Sequence, residues 1–265
     1  MSGFSADWLA LREPADHASV NLQVRDACAN AFAGRDSLQI VDLGSGTGSN
    51  LRNLSRVFGP RQHWTLVDYD TRLLDVARSR QSEAAAEAVA YRQADLSAGD
   101  FASVIGGADL VTASALFDLV SPAIIERLAA DVSAAGATFY TVLTYDGVAS
   151  WMPKHPVDTE MRDAFNLHQH SDKGFGPAAG PNATERLAAA FERRGYRVQR
   201  GKSPWFLDES FTALRHEVDR GWAGAAAEAG VNQSICDAWL KHRLTAKDAV
   251  TIVGHEDLLA LPPSR

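Results

Sequence analysis

The chain has 265 residues, 46% of them hydrophobic, with 26 basic against 33 acidic side chains and a formal net charge of −7. That length suffices for one large α/β domain with a well-buried core, and the acidic balance argues against a nucleic-acid enzyme, which needs a basic surface to meet phosphate. A run of about eighteen apolar residues, the least that reads as a membrane span, is absent.

The opening MSGFSADWLALREPADH carries acids and no apolar centre, so no secretory signal is expected and the cytosol is the expected compartment. Cys28 and Cys236 lack C-x-x-C spacing and read as core filler, with no disulfide framework or metal site expected.

In chain order, residues 16–33 are predicted to form an N-terminal helix with Leu22, Cys28, Ala29 and Phe32 on its apolar face; Arg12, Asp16 and His17, at or before its start, read either as facing a bound ligand or, more readily, as an exposed helix start. A strand over 38–43 then carries Asp42 and passes into Gly44-Ser45-Gly46-Thr47-Gly48, with Ser49 and Asn50 leading into a helical stretch over 51–58. Glycines there let the backbone approach a ligand and adopt positive φ, and a helix N-terminus offers it unpaired N–H groups. A dinucleotide loop of the form G-x-G-x-x-G would place Ser49 where its third glycine belongs, which argues against NAD. A second strand over 64–68 stops at Asp68, about twenty residues past the loop, where a carboxylate can accept both ribose hydroxyls of an adenosine ligand. Its neighbour Asp70 reads as the N-cap of a helix beginning near Thr71. A third strand over 89–94 closes on Asp95-Leu96, and Asp95 alone would be a turn former. The fourth strand, 109–113, runs into Ser114-Ala115-Leu116-Phe117-Asp118, and a fifth is expected over 137–143.

Val41-Asp42-Leu43-Gly44-Ser45-Gly46-Thr47-Gly48, followed by acids ending the second and third strands, resembles motif I and its successors in the class I S-adenosylmethionine-dependent methyltransferases. The resemblance covers roughly 38–143. It implies an α/β fold with a seven-stranded, doubly wound, mostly parallel Rossmann-like sheet, an N-terminal helix over the cofactor and helical insertions covering the pocket. It also implies that Asp42, Gly44, Ser45, Gly46, Gly48 and Asn50 form the loop holding the amino-acid end of S-adenosylmethionine, and that Asp68 and Tyr69 lie at its ribose. Asp95 would then meet the adenine amino group, the Leu96 N–H a ring nitrogen, and Ser114 would open the turn between cofactor and acceptor. The product would be S-adenosylhomocysteine. A small-molecule acceptor is expected. An RNA or protein methyltransferase is disfavoured by the acidic balance and by Ser114-Ala115-Leu116-Phe117 in place of an Asn-Pro-Pro-Tyr-type motif, and a binding protein without turnover stays open.

Beyond the fifth strand, residues 145–182 show no clear periodicity and read as an irregular acceptor-side insertion. Its candidates are Tyr145, Trp151, Lys173 and Phe175 for binding and His168 or His170 as a base, with His155 nearby. Each histidine is equally readable as a solvated loop residue and Lys173 as an exposed one. Asp118 either orients an amine or hydroxyl or starts a helix, and Trp151, Phe175, Trp205 and Trp222 either stack on the acceptor or fill the core. A helix over 184–194 ends at Gly195. A sixth strand is expected over 196–206 and a seventh over 249–255, separated by helices over 208–229 and 232–244 that would help roof the pocket. The whole of 1–265 reads as a single domain: cap helix about 16–33, core sheet about 38–143, insertion about 145–182, and last helices and strands about 183–260.

Overall fold

The computed structural model describes residues 4–59 and 61–263; the ends of the expected 1–265 domain and residue 60 lie outside the described residues. Its centre is an eight-stranded sheet in the order β3-β2-β1-β4-β5-β8-β6, with β7 also paired to β8. Strands β1 (Leu38–Leu43), β2 (Gln62–Asp68), β3 (Ala88–Gln93), β4 (Leu110–Ser114) and β5 (Thr138–Met152) run parallel. The last strand, β8 (Val250–Leu261), is antiparallel to β5, to β6 (Arg197–Lys202) and to β7 (Trp205–Leu207). This is the mostly parallel, helix-flanked Rossmann-like architecture expected from the sequence.

Side chains alternate across each strand. Ile40, Trp64, Leu66, Leu110 and Tyr140 therefore face one apolar layer, while Val41, Leu43, Val67, Val111 and Phe139 face another. The first layer is completed by helices α2 (Leu22–Ala31), α3 (Ser49–Leu54) and α4 (Thr71–Ser79), the second by α5 (Ala102–Ile105), α6 (Pro122–Ala135) and α8 (Ala183–Glu192). Both cysteines are fully buried in the first layer, as filler should be.

Three expectations need correction. The N-terminal helix is two helices, α1 (Ala6–Ser19) and α2, because Asn21 caps α2 by accepting from the Val24 N–H while its own N–H donates to Asp257 Oδ2 at 2.7 Å. The stretch after residue 144 is not irregular: β5 continues to Met152, past a positive φ at Leu143, whose N–H donates to Asp257 Oδ1. The twelve-residue β8 supplies its partner through Met152↔Val250. Residues Asp158–Gln169 then form α7, which packs on α9 (Thr212–Glu228), itself packed on α10 (Gln233–Thr245). Finally, the sixth strand is split into β6 and β7 at Ser203, whose hydroxyl donates to Asp257 Oδ1 at 2.6 Å. Among the described residues no helix is long and apolar enough to cross a membrane.

Candidate functional site

In a sheet of this order the chain reverses direction between β1 and β4, and ligands bind in the crevice at the carboxyl ends of the strands there. The loop from Gly44 to Gly48 sits at that crevice. The Ser45 N–H donates to the Val67 carbonyl, the Gly48 N–H to the Ser45 carbonyl, and the Gly46 N–H to Asp68 Oδ2 at 2.8 Å. At Gly46 (φ +52°) a Cβ would lie 3.0 Å from Leu9 Cδ1 of α1, and at Gly48 (φ +79°) a Cβ would lie 3.3 Å from Arg52 Nη1. Both glycines are thus required by close approach as well as by backbone angle. Gly44 is half-buried beneath Leu116.

Asp42 and Asn50 lie under the loop rather than in the crevice, which corrects their assignment to ligand contact. Asp42 is fully buried, and its Oδ1 accepts from Asn50 Nδ2 at 2.8 Å, which also donates to Thr112 Oγ1. Burial pushes the Asp42 carboxyl up to about 7 despite the Asn50 bond, with the Asp68 charge adding to the rise. Gly48 likewise faces Arg52, Ala77 and Leu66, not the crevice.

Asp68 ends β2 with its Oδ1 accepting the Asp70 N–H at 2.9 Å and its Oδ2 the Gly46 N–H. Each carboxylate oxygen keeps a second lone pair for a ligand hydroxyl. Burial raises its pKa, with these backbone N–H groups opposing the rise. Asp70 caps α4 through the Arg72 N–H. Tyr69 is an exposed aromatic at the same rim. Asp95 is exposed and caps the 3₁₀ turn Leu96–Ala98 by accepting from the Ser97 N–H and hydroxyl; Leu96 is buried behind it. Ser114 stands half-buried at the end of β4, followed by Ala115 at φ +50°.

These residues suit an adenosyl amino acid. The loop is closed enough to exclude any side chain at Gly46, and the hydroxyls of Ser45 and Thr47 are buried without a hydrogen-bond partner among the described residues. Polar groups so placed call for a ligand.

On the far side of Leu116, Asp118 lies in the 3₁₀ turn Phe117–Leu119, 7% exposed. Burial pushes its carboxyl up to about 6, while backbone N–H groups including that of Tyr145, and the charges of Arg12 and Lys173, pull it down. Lys173 Nζ donates to His168 Nδ1 at 3.2 Å, and His168 Nε2 meets Glu228 Oε2 at 2.9 Å, tying the 171–177 turn to α7 and α9. Burial lowers the Lys173 pKa, with Glu228 and Asp118 opposing. Tyr145 is buried, its hydroxyl donating to Asn166 Oδ1.

Three of the expected acceptor groups stand elsewhere. Trp151 is 2% exposed, its Nε1 donating to Asp219 Oδ1 and its ring edge-on to Trp222 and Trp239, so it is core. His170 is exposed and braces Gly180, with Nδ1 3.3 Å from the Ala178 carbonyl. Phe175 is half-buried against the apolar layer beneath α6 and α8. Trp205 and Trp222 are buried, and the His155 ring lies 5.0 Å from that of His242, tilted by 47°, by the start of α7. Among the described residues no cluster is suited to a metal ion.

The sequence reading missed the underside of α1. Leu9 rests on Gly46, Glu13 accepts from Arg52 Nε and Nη2 at 2.7 Å each, and His17 Nε2 lies 3.0 Å from both the carbonyl and hydroxyl oxygens of Ser49. Their signal was the four-residue spacing of 9, 13 and 17 on one helix face.

Residues 40–137 match the family model described as a methyltransferase domain. No curated protein sequence matches the chain. Among solved structures, the chain is similar to a cyclopropane-fatty-acyl-phospholipid synthase-like protein from Lactobacillus casei, with a TM-score of 0.55 and 15% identity over 98% of this chain and 95% of that one. It is also similar to the YcgJ protein of Bacillus subtilis, with a TM-score of 0.52 and 13% identity over 92% of this chain and 100% of that one. A methyltransferase from Geobacter sulfurreducens, solved with S-adenosyl-L-homocysteine, gives a TM-score of 0.50 and 17% identity over 99% of this chain and 100% of that one. At such identities the structural likeness speaks for the fold.

Proposed function

We propose that this chain, a class I S-adenosylmethionine-dependent methyltransferase, moves the methyl group to a small-molecule acceptor by in-line displacement. Its residues 1–265 then act as a single domain, working in the cytosol. When bound, S-adenosylmethionine supplies a methyl group on a sulfonium, a leaving group that needs no activation by the protein. What remains for the chain is to hold, align and deprotonate. Gly44 and Gly46 bring the loop backbone to the amino-acid end, Ser45 offers its hydroxyl, Asp68 takes the ribose hydroxyls with Tyr69 at the rim, and Asp95 with the Leu96 N–H takes the adenine. Ser114 lines the passage to the acceptor. Alignment at near-attack distance can supply roughly 7–11 kcal/mol of barrier reduction, and a base about 10²–10⁴-fold more where the acceptor arrives protonated.

Asp118 is the observation that carries the reading. Seven acids are buried: Glu13, Asp16, Asp42, Asp118, Asp219, Glu256 and Asp257. Six have a side-chain donor: Arg52 on Glu13, Arg12 on Asp16, Asn50 on Asp42, Trp151 on Asp219, Arg200 on Glu256 and Ser203 on Asp257. Among the described residues Asp118 has only backbone N–H groups to lower its pKa by hydrogen bonding. A buried carboxylate left without a side-chain partner at the strand ends is suited to accept the proton, or fix the N–H or O–H, of an incoming nucleophile. Lys173, held by His168, faces the same carboxylate and suits an anionic group on the acceptor. The formal charge of −7 supports a small molecule over nucleic acid.

The test is incubation of the purified protein with S-adenosylmethionine carrying a labelled methyl group and a metabolite extract, followed by mass spectrometry. Label is expected in a low-molecular-weight product. Label found only in RNA or protein would overturn the acceptor class.

A further inference from the structure

The glycine loop is held from outside the crevice by a device that the donor contacts do not include. Glu13 of α1 is 7% exposed, and its two carboxylate oxygens accept from Nε and Nη2 of Arg52 at 2.7 Å each, a two-pronged pair. Arg80, from the end of α4, adds Nη1 at 2.8 Å and Nη2 at 3.3 Å to the same carboxylate. Arg52 is 3% exposed, and its remaining nitrogen, Nη1, donates to the carbonyl of Thr47 inside the loop at 2.7 Å. One guanidinium therefore joins a helix carboxylate on one edge to a loop carbonyl on the other. Gly48 makes room for it, since a Cβ there would come within 3.3 Å of Nη1.

We propose that Glu13 is a positioning residue for donor binding, a latch that seats α1 on the glycine loop and fixes the loop's aim through Arg52. The inference rests on the reading of residues 44–48 as the donor loop. Leu9, Glu13 and His17 recur at every fourth position and all meet the loop or the start of α3, so α1 docks along one line with Glu13 at its centre. The Thr47 carbonyl shares a peptide plane with the Gly48 N–H, which closes the turn onto the Ser45 carbonyl at 2.9 Å. Holding that carbonyl therefore holds the turn from which Ser45 and Gly46 reach the ligand. Without Glu13, Arg52 keeps as counter-ion only the part-exposed Glu83, whose Oε2 lies 3.6 Å from Nε, and loses the two-pronged pair that aims it at Thr47.

The experiment measures S-adenosylhomocysteine binding by calorimetry to the wild type, Glu13→Gln, Arg52→Gln, Arg80→Gln and the double variant Glu13→Gln/Arg52→Gln, with melting temperatures alongside. Glu13→Gln is expected to weaken binding about tenfold, within the 5- to 150-fold range of coupled sites, and Arg80→Gln to weaken it less. The double variant is expected to bind no worse than the weaker single variant, because both changes break one linkage. Hydrogen exchange over α1 should slow on adding S-adenosylhomocysteine in the wild type and not in Glu13→Gln. If Glu13→Gln and Arg80→Gln bind within about twofold of the wild type while melting lower, the cluster is structural only and the proposal is overturned. Should Glu13→Gln fail to fold, Arg80→Gln, which leaves the buried Arg52 pair intact, decides between the two by the same affinity readout. No binding by the wild type would instead overturn the donor reading on which the latch depends.

Discussion

Replacing Asp68 tests the donor site more sharply than any other change, because its neighbour Asp70 provides a control of the same chemistry two residues away. The Asp68 oxygens already accept N–H groups from Gly46 and Asp70 at 2.8 and 2.9 Å, and in the proposed donor complex they would take two ribose hydroxyls as well. Hydrogen bonds to a charged acceptor contribute about 1.5–3 kcal/mol. Asp68→Ala should therefore weaken S-adenosylhomocysteine binding roughly 10- to 150-fold, more if the Gly46 N–H loses its aim. Asp70 is spent on the first turn of α4, accepting from the Arg72 N–H at 2.9 Å. Asp70→Ala should cost about 1 kcal/mol of stability as a lost helix cap, or roughly 2–4 °C in melting temperature for a chain of this size. Its donor affinity should stay within about threefold, below the 1.4 kcal/mol of a tenfold change. Calorimetric titration and thermal unfolding of both variants read the two effects separately. Equal losses of affinity at the two positions would refute the assignment of the ribose to Asp68.

Asp118→Asn should lower kcat/KM by about 10²–10⁴-fold and remove an acid limb centred near pH 6, where burial has placed the wild-type carboxyl. Because that folded pKa lies above the ordinary aspartate value of 3.8, the native state binds more protons between those values; the stability linked to Asp118 is full below 3.8 and lost as pH rises through about 6. Urea unfolding at pH 5 and pH 8 should thus show the variant gaining on the wild type at the higher pH, and the reverse trend would contradict a buried, ionising Asp118. Trp151→Phe deprives the buried Asp219 of one donor and should cost about 1–3 kcal/mol of stability with donor affinity unchanged; lost acceptor affinity at full stability would return Trp151 to the pocket. Binding to RNA, followed by filter retention across a salt series, should be weak and vanish by physiological salt, given the charge of −7.

The first four strands were legible to within a few residues because their information is local. β1 and β4 are short apolar runs buried on both faces, β2 stops at an acid, and the edge strand β3, half-exposed, is marked by Asp95 two residues past its end. Helix α1 was not legible, because Arg12-Glu13-Pro14-Ala15-Asp16 reads as a polar, broken stretch. Its charges are buried by partners far along the chain: Glu13 by Arg52 and Arg80, Asp16 by Trp205 Nε1. The extension of β5 was hidden for the same reason. Asp146-Gly147 interrupts the pattern, and only the pairing with β8, a hundred residues on, carries the strand through to Met152.

The same distinction divides the candidate site. The donor loop is written in glycines, since its requirement is backbone shape, and Gly44 to Gly48 could be found without knowing the fold. The acceptor side is written in partnerships. Trp151 and Trp205 looked equal to one another as aromatic candidates or core, but each indole N–H is spent on an internal carboxylate, Asp219 and Asp16 respectively, as is that of Trp239 on Asp158. An indole so bound fixes its ring, and its N–H is not left to meet an acceptor. The same sorting that removes these tryptophans isolates Asp118, the buried acid that backbone N–H groups alone serve. A sequence shows that a chain has acids and aromatic donors in supply; which acid is left without a side-chain donor is decided only when residues as distant as 16 and 205 are brought within 3.0 Å.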